Sequence, residues 1–540
     1  MDPSPRPDSE VPHVRHSITP AESRPALLRR IGLVVLILGL THFGLPGVSQ
    51  AIAGSEAAKA GTPNLLFLIA DDHRGGTLGV DGDPRRATPR LDELAGQGVR
   101  FTRAYCNSPV CTPSRQSLIT GRLPHAVGVT RLTTPLPHDA VTLGNLLTEA
   151  GYETAAYGKM HFNSQDRHGF AERLDLKEWH GWLREHLAKG DDRRRPWRPF
   201  KDPASEWLNS TCRPVGLPAA AMDSTYFADR AIDYLKSRKD RPFALVVSFY
   251  DPHSPFHFPD EWHGRFRPKT FPALAPSDAD LRERPLVFKG LTPHDSQGIQ
   301  AAYYTSLSFL DHQVGRVLDG LNAAGLSEST LVVYLGDNGY MLGEHGRFEK
   351  HCFYEPAVRV PLLVRWPRRL PAGGRVEGMV ELVDVLPSVL DLLGVDRPRG
   401  LHGQSFVPLL RGEKGAQGRD VVFSEYLENE EAMVRGERYK LVMGTGRRKR
   451  LDGYETARPT PGSYARLFDM AADPSERHDL AGRPEFKGVE ADLQSRLHQR
   501  LISTRDGALV VPAGLTELQA IHWCLVPRDP EPPSTPPAAR

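Results

Sequence analysis

The order of apolar segments in this chain predicts an α/β fold, a large and mostly parallel sheet sandwiched by helices. Three observations carry that reading. Short unbroken apolar runs of strand length recur through residues 64–366, and segments of helical length separate them. The runs ending near residues 70, 249 and 335 each hand polar residues to their carboxyl ends, where open α/β sheets bind ligands. Beyond about Pro408 long apolar runs cease, and only short strand-like pieces such as Tyr439–Val442 and Arg466–Asp469 remain, which predicts a smaller C-terminal subdomain.

In chain order, Asn64–Ala70 reads as a strand buried on both faces and ending in Asp71-Asp72, and Leu91–Gly98 reads as a helix. In the stretch Ser108–Arg122, Thr112 suits a helix cap, Pro113 the first turn and Gly121 the exit. Cys111 would then sit just before a helix N-terminus, where backbone N–H groups attract anions. Thr142–Ala150 is the next helix. Thr154–His161 follows as a strand whose period of two points Lys159 and His161 to one side.

Phe243–Phe249 delivers Asp251, His253 and Pro255, and an apolar stripe at helical spacing from Leu307 to Leu321 is core. Leu331–Leu335 ends in Gly336-Asp337-Asn338-Gly339, Val360–Trp366 is a further strand, and Leu382–Leu393 is a helix. Between Trp179 and Lys201 lies a polar insertion with Trp179, Trp182, Arg193–Arg195 and Trp197. It reads either as a solvated loop or as a surface for sugar rings and anions.

Composition sets the outer bounds. With 540 residues and 39% hydrophobic content the chain can bury a large core, and 68 basic against 66 acidic residues give no global attraction for nucleic acid. Five cysteines are too few for a disulfide scaffold, and Cys106, Cys212, Cys352 and Cys524 have no pairing that sequence decides. Arg29-Arg30, the run Ile31–Leu40 and Ala51-Ile52-Ala53 have the order of an export signal over residues 1–53. A periplasmic or secreted protein is expected, and the paired arginines are compatible with the twin-arginine route. The run is short for a bilayer span, so no stable membrane anchor is expected. The chain divides into 62–408, 409–525 and a proline-rich tail from 526 expected to be disordered.

Asp71, Asp72 and Asp337 converge if their strands are neighbours. Two carboxylates about 4 Å apart repel by roughly 4 kcal/mol at an effective dielectric of about 20, so three demand protonation or a cation. Asn338 adds a neutral oxygen, and such an all-oxygen set suits Ca²⁺ or Mg²⁺ rather than zinc. Taken singly, the same residues read as solvated loop acids and a turn. A thiol is a poor neighbour for a hard ion, which favours an oxygen species at Cys111.

Cys-x-Pro-Ser-Arg, here Cys111, Pro113, Ser114 and Arg115, would arise by accident in a chain this long on the order of once in a thousand. With Leu118–Arg122 it resembles the signature of the type I sulfatases, and the similarity extends from about Pro63 to Leu480. The resemblance implies an alkaline-phosphatase-like fold with an α+β C-terminal subdomain, and oxidation of Cys111 to formylglycine (3-oxoalanine) by a formylglycine-generating enzyme. It also implies Ca²⁺ or, less often, Mg²⁺ on Asp71, Asp72, Asp337, Asn338 and the oxidised side chain of Cys111.

By the same resemblance Lys159 and Lys350 bind sulfate, His161 contacts the aldehyde hydrate, His253 faces the leaving oxygen, and Arg115 holds the formylglycine side chain. Both histidines are expected to titrate near neutral pH. The implied reaction is cleavage of a sulfate monoester of an aryl alcohol or carbohydrate by attack of the hydrate, with His253 as acid. Two alternatives stay open at this point. One is a phosphonate or phosphate ester hydrolase of the same superfamily, against which the Asp337-Asn338 pair speaks, since those enzymes often place histidine after the aspartate. The other is a Ca²⁺-dependent carbohydrate-binding protein with an unmodified Cys111.

Overall fold

The computed structural model describes residues 61–187, 201–237, 241–448, 450, 452–457, 462–505 and 509–529. The expected export segment, Arg193–Arg195, Trp197 and the last eleven residues lie outside them. Among the described residues no helix is long and apolar enough to cross a membrane.

The main sheet uses β1 (Asn64–Ala70), β2 (Val99–Tyr105), β3 (Glu153–Gly158), β4 (Glu172–Leu174), β5 (Phe243–Ser248), β6 (Thr330–Gly336), β7 (Arg359–Arg365), β8 (Gly374–Val376) and β9 (Val380–Glu381). Their order is β4-β3-β5-β1-β6-β7-β2-β8, with β9 also on β2. Every pairing is parallel except those of β7, which is antiparallel to both β6 and β2. β1, β5 and β6 are buried along their whole length, as their unbroken apolar sequences require.

Two apolar cores cover the sheet's faces. One holds the inward side chains of Leu65, Phe67 and Ile69, the other those of Leu66, Leu68 and Ala70, the alternation a sheet covered on both sides imposes. The long helix Pro293–Ala323 packs in the second core. Its Asp311 accepts from the backbone N–H groups of Arg90 (3.1 Å) and Leu91 (2.8 Å), capping the helix Pro89–Gly96, whose own Thr88 makes no side-chain cap.

A second, antiparallel sheet follows: β10 (Val421–Tyr426), β11 (Glu431–Gly436), β12 (Tyr439–Gly444) and β13 (Tyr464–Asp469), in that order. The helices Lys487–Ser503 and Glu517–Leu525 pack on it. Buried Lys440 bridges this sheet to the loop before β7, donating to Glu476 (2.7 Å) and the Phe353 carbonyl (3.0 Å), with Glu355 at 3.0 Å. Residues 526–529 are described together with this subdomain. Asp529, which composition places in the tail, is buried and accepts from the Thr130 N–H (3.1 Å) and hydroxyl.

Candidate active site

The central strands β3, β5, β1 and β6 are contiguous, and the site forms where their carboxyl ends meet. Ala70 pairs with Gly336, so Asp71 and Asp337 leave the sheet at one level. The Asp337 N–H donates to the Ala70 carbonyl (3.0 Å) and the Asp71 N–H to the Asp251 carbonyl (3.1 Å). Strand β3 ends at Gly158, one residue before Lys159, and strand alternation therefore does not orient Lys159 and His161. Gly158 has φ +92°, and a Cβ there would lie 1.9 Å from the Ser248 carbonyl, so only glycine permits the turn. His161 follows in a left-handed conformation, φ +59°.

Cys111 is itself the first residue of the motif helix Cys111–Thr120. The cap position falls to Val110, in extended conformation and without a side-chain bond, while the Thr112 hydroxyl donates to the Leu132 carbonyl (2.6 Å). Gly121 closes the helix with φ +66°, as expected of a C-terminal glycine.

The Cys111 thiol donates to Asp71 Oδ1 (3.2 Å) and accepts from Lys350 Nζ (2.8 Å). Lys350 also donates to Asp72 Oδ1 (2.6 Å), and Lys159 Nζ donates to Asp71 Oδ2. Asn338 Nδ2 donates to Asp72 Oδ1 (2.6 Å), while Asp337 Oδ1 accepts from the N–H groups of Asp72 (3.0 Å) and Asn338 (2.8 Å). His253 Nε2 stands 3.8 Å from Asp72 Oδ2. Single ligand atoms of Asp71, Asp72, Cys111 and His253 all lie within 4.8 Å of one another. His253 thus joins Asp71 and Asp72 in this group, while Asp337, whose oxygens accept from Arg115 and two backbone N–H groups, stands outside it.

Three carboxylates here face three cations, Lys159, Lys350 and Arg115, so the protein itself offsets much of the repulsion that sequence reasoning assigned to a metal. Asp71 shows it. Burial pushes its carboxyl up, but Lys159, His253, Lys350 and Arg115 together hold it well below the usual range. Asp72 is pushed up to about 7 by burial, against Lys350 and with Asp71 and Asp337. Asp337 is likewise raised, chiefly by burial. The donor set fits a hard divalent ion on a separate ground: Asp72 Oδ2 and Asn338 Oδ1 are buried acceptors with no hydrogen-bond donor among the described residues.

Arg115 engages the carboxylates and the strand ends. Its Nε donates to Asp337 Oδ2 (2.7 Å), and Nη1 donates to the Lys159 carbonyl and Ser248 Oγ (2.6 Å), so it locks three strand ends together from a fully buried position. One expectation, the near-neutral titration of the two histidines His161 and His253, changes. Burial first, then Lys159 beside His161 and Lys350 beside His253, holds both well below the ordinary histidine range. His253 Nδ1 donates to the Ser254 carbonyl (2.6 Å), since a carbonyl only accepts, and Nε2 is the ring atom left to exchange a proton.

Burial, and Asp71 after it, pushes the Cys111 thiol strongly upward, so as a thiol it stays neutral. All five cysteines are buried free thiols. Ser248 escaped sequence reasoning; its only signal is a hydroxyl inside the apolar run Phe243–Phe249. In the supposed polar insertion, Trp179 is 1% exposed and donates to the Ala221 carbonyl (3.1 Å), and is therefore a core residue on the helix Leu176–His186.

An alkaline-phosphatase-like hydrolase is the class this sheet and strand-end cluster define. The family described as Sulfatase matches residues 63–395, and its companion described as N-sulphoglucosamine sulphohydrolase, C-terminal, matches 343–503. The chain belongs to the sulfatase family and is a sulfatase enzyme. It is 29% identical over 451 residues to an ulvan-active sulfatase of Formosa agariphila, covering 82% of each chain. It is 26% identical over 523 residues to an N-acetylglucosamine-6-O-sulfatase of Bacteroides thetaiotaomicron, covering 83% of this chain and 88% of that one. Among solved structures, a phosphonate monoester hydrolase of Agrobacterium radiobacter superposes with TM-score 0.70 at 25% identity, over 84% of this chain and 98% of the other.

Proposed function

We propose that the enzyme hydrolyses the sulfate monoester of a carbohydrate or aryl alcohol, using formylglycine made from Cys111 and a Ca²⁺ ion, in the periplasm or outside the cell. One observation carries this reading: residue 111 opens a helix with its side chain between a carboxylate at 3.2 Å and an ammonium at 2.8 Å. An oxygen there would have a proton acceptor and a cation already in place. Support for a sugar comes from relatives named for ulvan and for N-acetylglucosamine-6-O-sulfate esters. Support for export rests on residues 29–53 alone.

Asp71, Asp72, Asp337 and Asn338 would hold the ion, with His253 at the edge of the set. When present, the ion and the aldehyde hydrate supply an activated oxygen nucleophile and positive charge for the transferring group. Lys159 and Lys350 neutralise the ester's outer oxygens. Arg115 fixes Asp337 and the Lys159 backbone, and so sets where Lys159 reaches. His253 presents Nε2 toward the departing alcohol and can act as its acid only once that nitrogen has taken up a proton.

A second reading, hydrolysis of phosphonate monoesters, is favoured by the structural likeness to the Agrobacterium enzyme. Rates on paired 4-nitrophenyl sulfate and phenylphosphonate esters separate the two. We expect a higher kcat/KM on the sulfate, loss of turnover on chelation and recovery with Ca²⁺ but not Zn²⁺. Preference for the phosphonate overturns the reading.

A further inference from the structure

The side chains around Cys111 differ sharply in exposure. Asp71 and Asp72 are 0% exposed, Lys350 6% and Lys159 9%, whereas His253 keeps 25%. Among these groups the pit therefore opens on the His253 side. An ester whose anionic end enters the pit must leave its alcohol portion at that edge.

Trp207 stands there. Its ring centroid is 6.2 Å from that of His253, with the planes at 82°. The indole is half-buried, packed against the apolar core that holds the long helix. Its mount is stiff. Trp207 ends the turn Ala204–Trp207, its N–H donates to the Pro203 carbonyl (3.1 Å), and buried Leu208 follows with a bond to Ala204 (2.8 Å). Three residues on, the Ser210 carbonyl presses so closely on Gly298 that a Cβ there would lie 1.6 Å from it. The indole N–H has no acceptor among the described residues, so packing and backbone hold the ring. Trp182, singled out by sequence as a sugar-binding candidate, is engaged elsewhere, stacked on His186 at 4.5 Å and tilted against Tyr226 at 5.7 Å.

We infer that Trp207 is a specificity-determining platform, and that the enzyme selects sulfate esters of cyclic alcohols, whose ring lies against the indole while the sulfate occupies the pit. A rigid aromatic face at the mouth adds contact with a flat ring, either the C–H face of a pyranose or an aryl ring, at little entropic cost, and gives an open-chain alcohol far less. The inference rests on the sulfate-ester reading above.

The test compares wild type, Trp207→Ala and Trp207→Phe on glucosamine-6-sulfate, 4-nitrophenyl sulfate and propyl sulfate, with thermal unfolding to confirm the fold. Wild-type turnover on the three esters tests the sulfatase reading by itself, and the variants test the platform. In Trp207→Ala the ratio of kcat/KM on a cyclic ester to that on propyl sulfate should fall about five- to tenfold, mainly through KM, and Trp207→Phe should restore most of it. A fall with glucosamine-6-sulfate alone identifies a pyranose, and with 4-nitrophenyl sulfate alone an aryl ring. An unchanged ratio, or a wild type that prefers propyl sulfate, overturns the inference.

Discussion

Lys350 is shared between Asp72 and Cys111, and the acids around it, Asp72 first, hold its ammonium well above the ordinary lysine range against the pull of burial. It stays charged whatever the pH of an assay. Lys350→Ala removes the cation facing residue 111 and leaves Asp72 uncompensated, so kcat/KM on a sulfate ester should fall about 10²- to 10³-fold, measured by initial rates. Lys350→Arg should recover little, because a planar fork cannot occupy the point position of an ammonium in a site 6% exposed. The residues legible in the sequence were those in short polar motifs at the ends of apolar runs: Asp71, Asp72, Asp337, Asn338, Lys159 and His253. Ser248 and Trp207 lie in no such motif; only the tertiary fold brings Ser248 to Arg115 and Trp207 to His253. The expected near-neutral histidines failed because composition carries no information on burial or on which lysines stand nearby.

At the scale of elements, β1, β5 and β6 were readable because a strand covered on both faces is apolar throughout. β2 was not. Its sequence Val-Arg-Phe-Thr-Arg-Ala-Tyr mixes buried and half-exposed positions, with a register shift between Phe101 and Ala104, and lacks an apolar run. The predicted helix at Leu382 divides into a short 3-10 turn, Leu382–Asp384, and the helix Val385–Leu393. The cap that Asp311 supplies to Pro89–Gly96 joins residues about 220 apart and is invisible locally.

That cap carries a prediction. Burial pushes Asp311 up to about 7, above its unfolded value of 3.8. The unfolded chain therefore releases this proton first, so the group's contribution to stability is present below about pH 4 and is lost as pH rises through 7. Asp311→Asn removes the titration. In urea unfolding its stability relative to wild type should rise between pH 4 and 7, by a few kcal/mol at most, and Asp311→Ala should lose about 1–3 kcal/mol of folding stability at pH 4.

The molecule as a whole couples two sheets of different logic. The large parallel sheet gathers charge at one edge, and the antiparallel sheet buttresses the loop that carries Lys350 through Lys440, Glu355 and Glu476. The approach to the motif helix is tied to it as well, since the Glu425 N–H donates to the Asn107 carbonyl at 2.9 Å. A net charge of +2 conceals this arrangement, because the pit's three acids and three bases cancel. Of the fold, the parallel sheet was legible and the pairing within the C-terminal sheet was not, its strands being short and only partly apolar.

Turnover at this site depends on the chemical identity of residue 111. Mass spectrometry of the tryptic peptide Ala104–Arg115, from protein of the native host or co-expressed with a formylglycine-generating enzyme, reads it directly. The predicted mass is that of an aldehyde or its hydrate at position 111, with the Cys106 thiol intact. A peptide carrying two intact cysteines, from protein that nonetheless hydrolyses sulfate esters, would contradict the account.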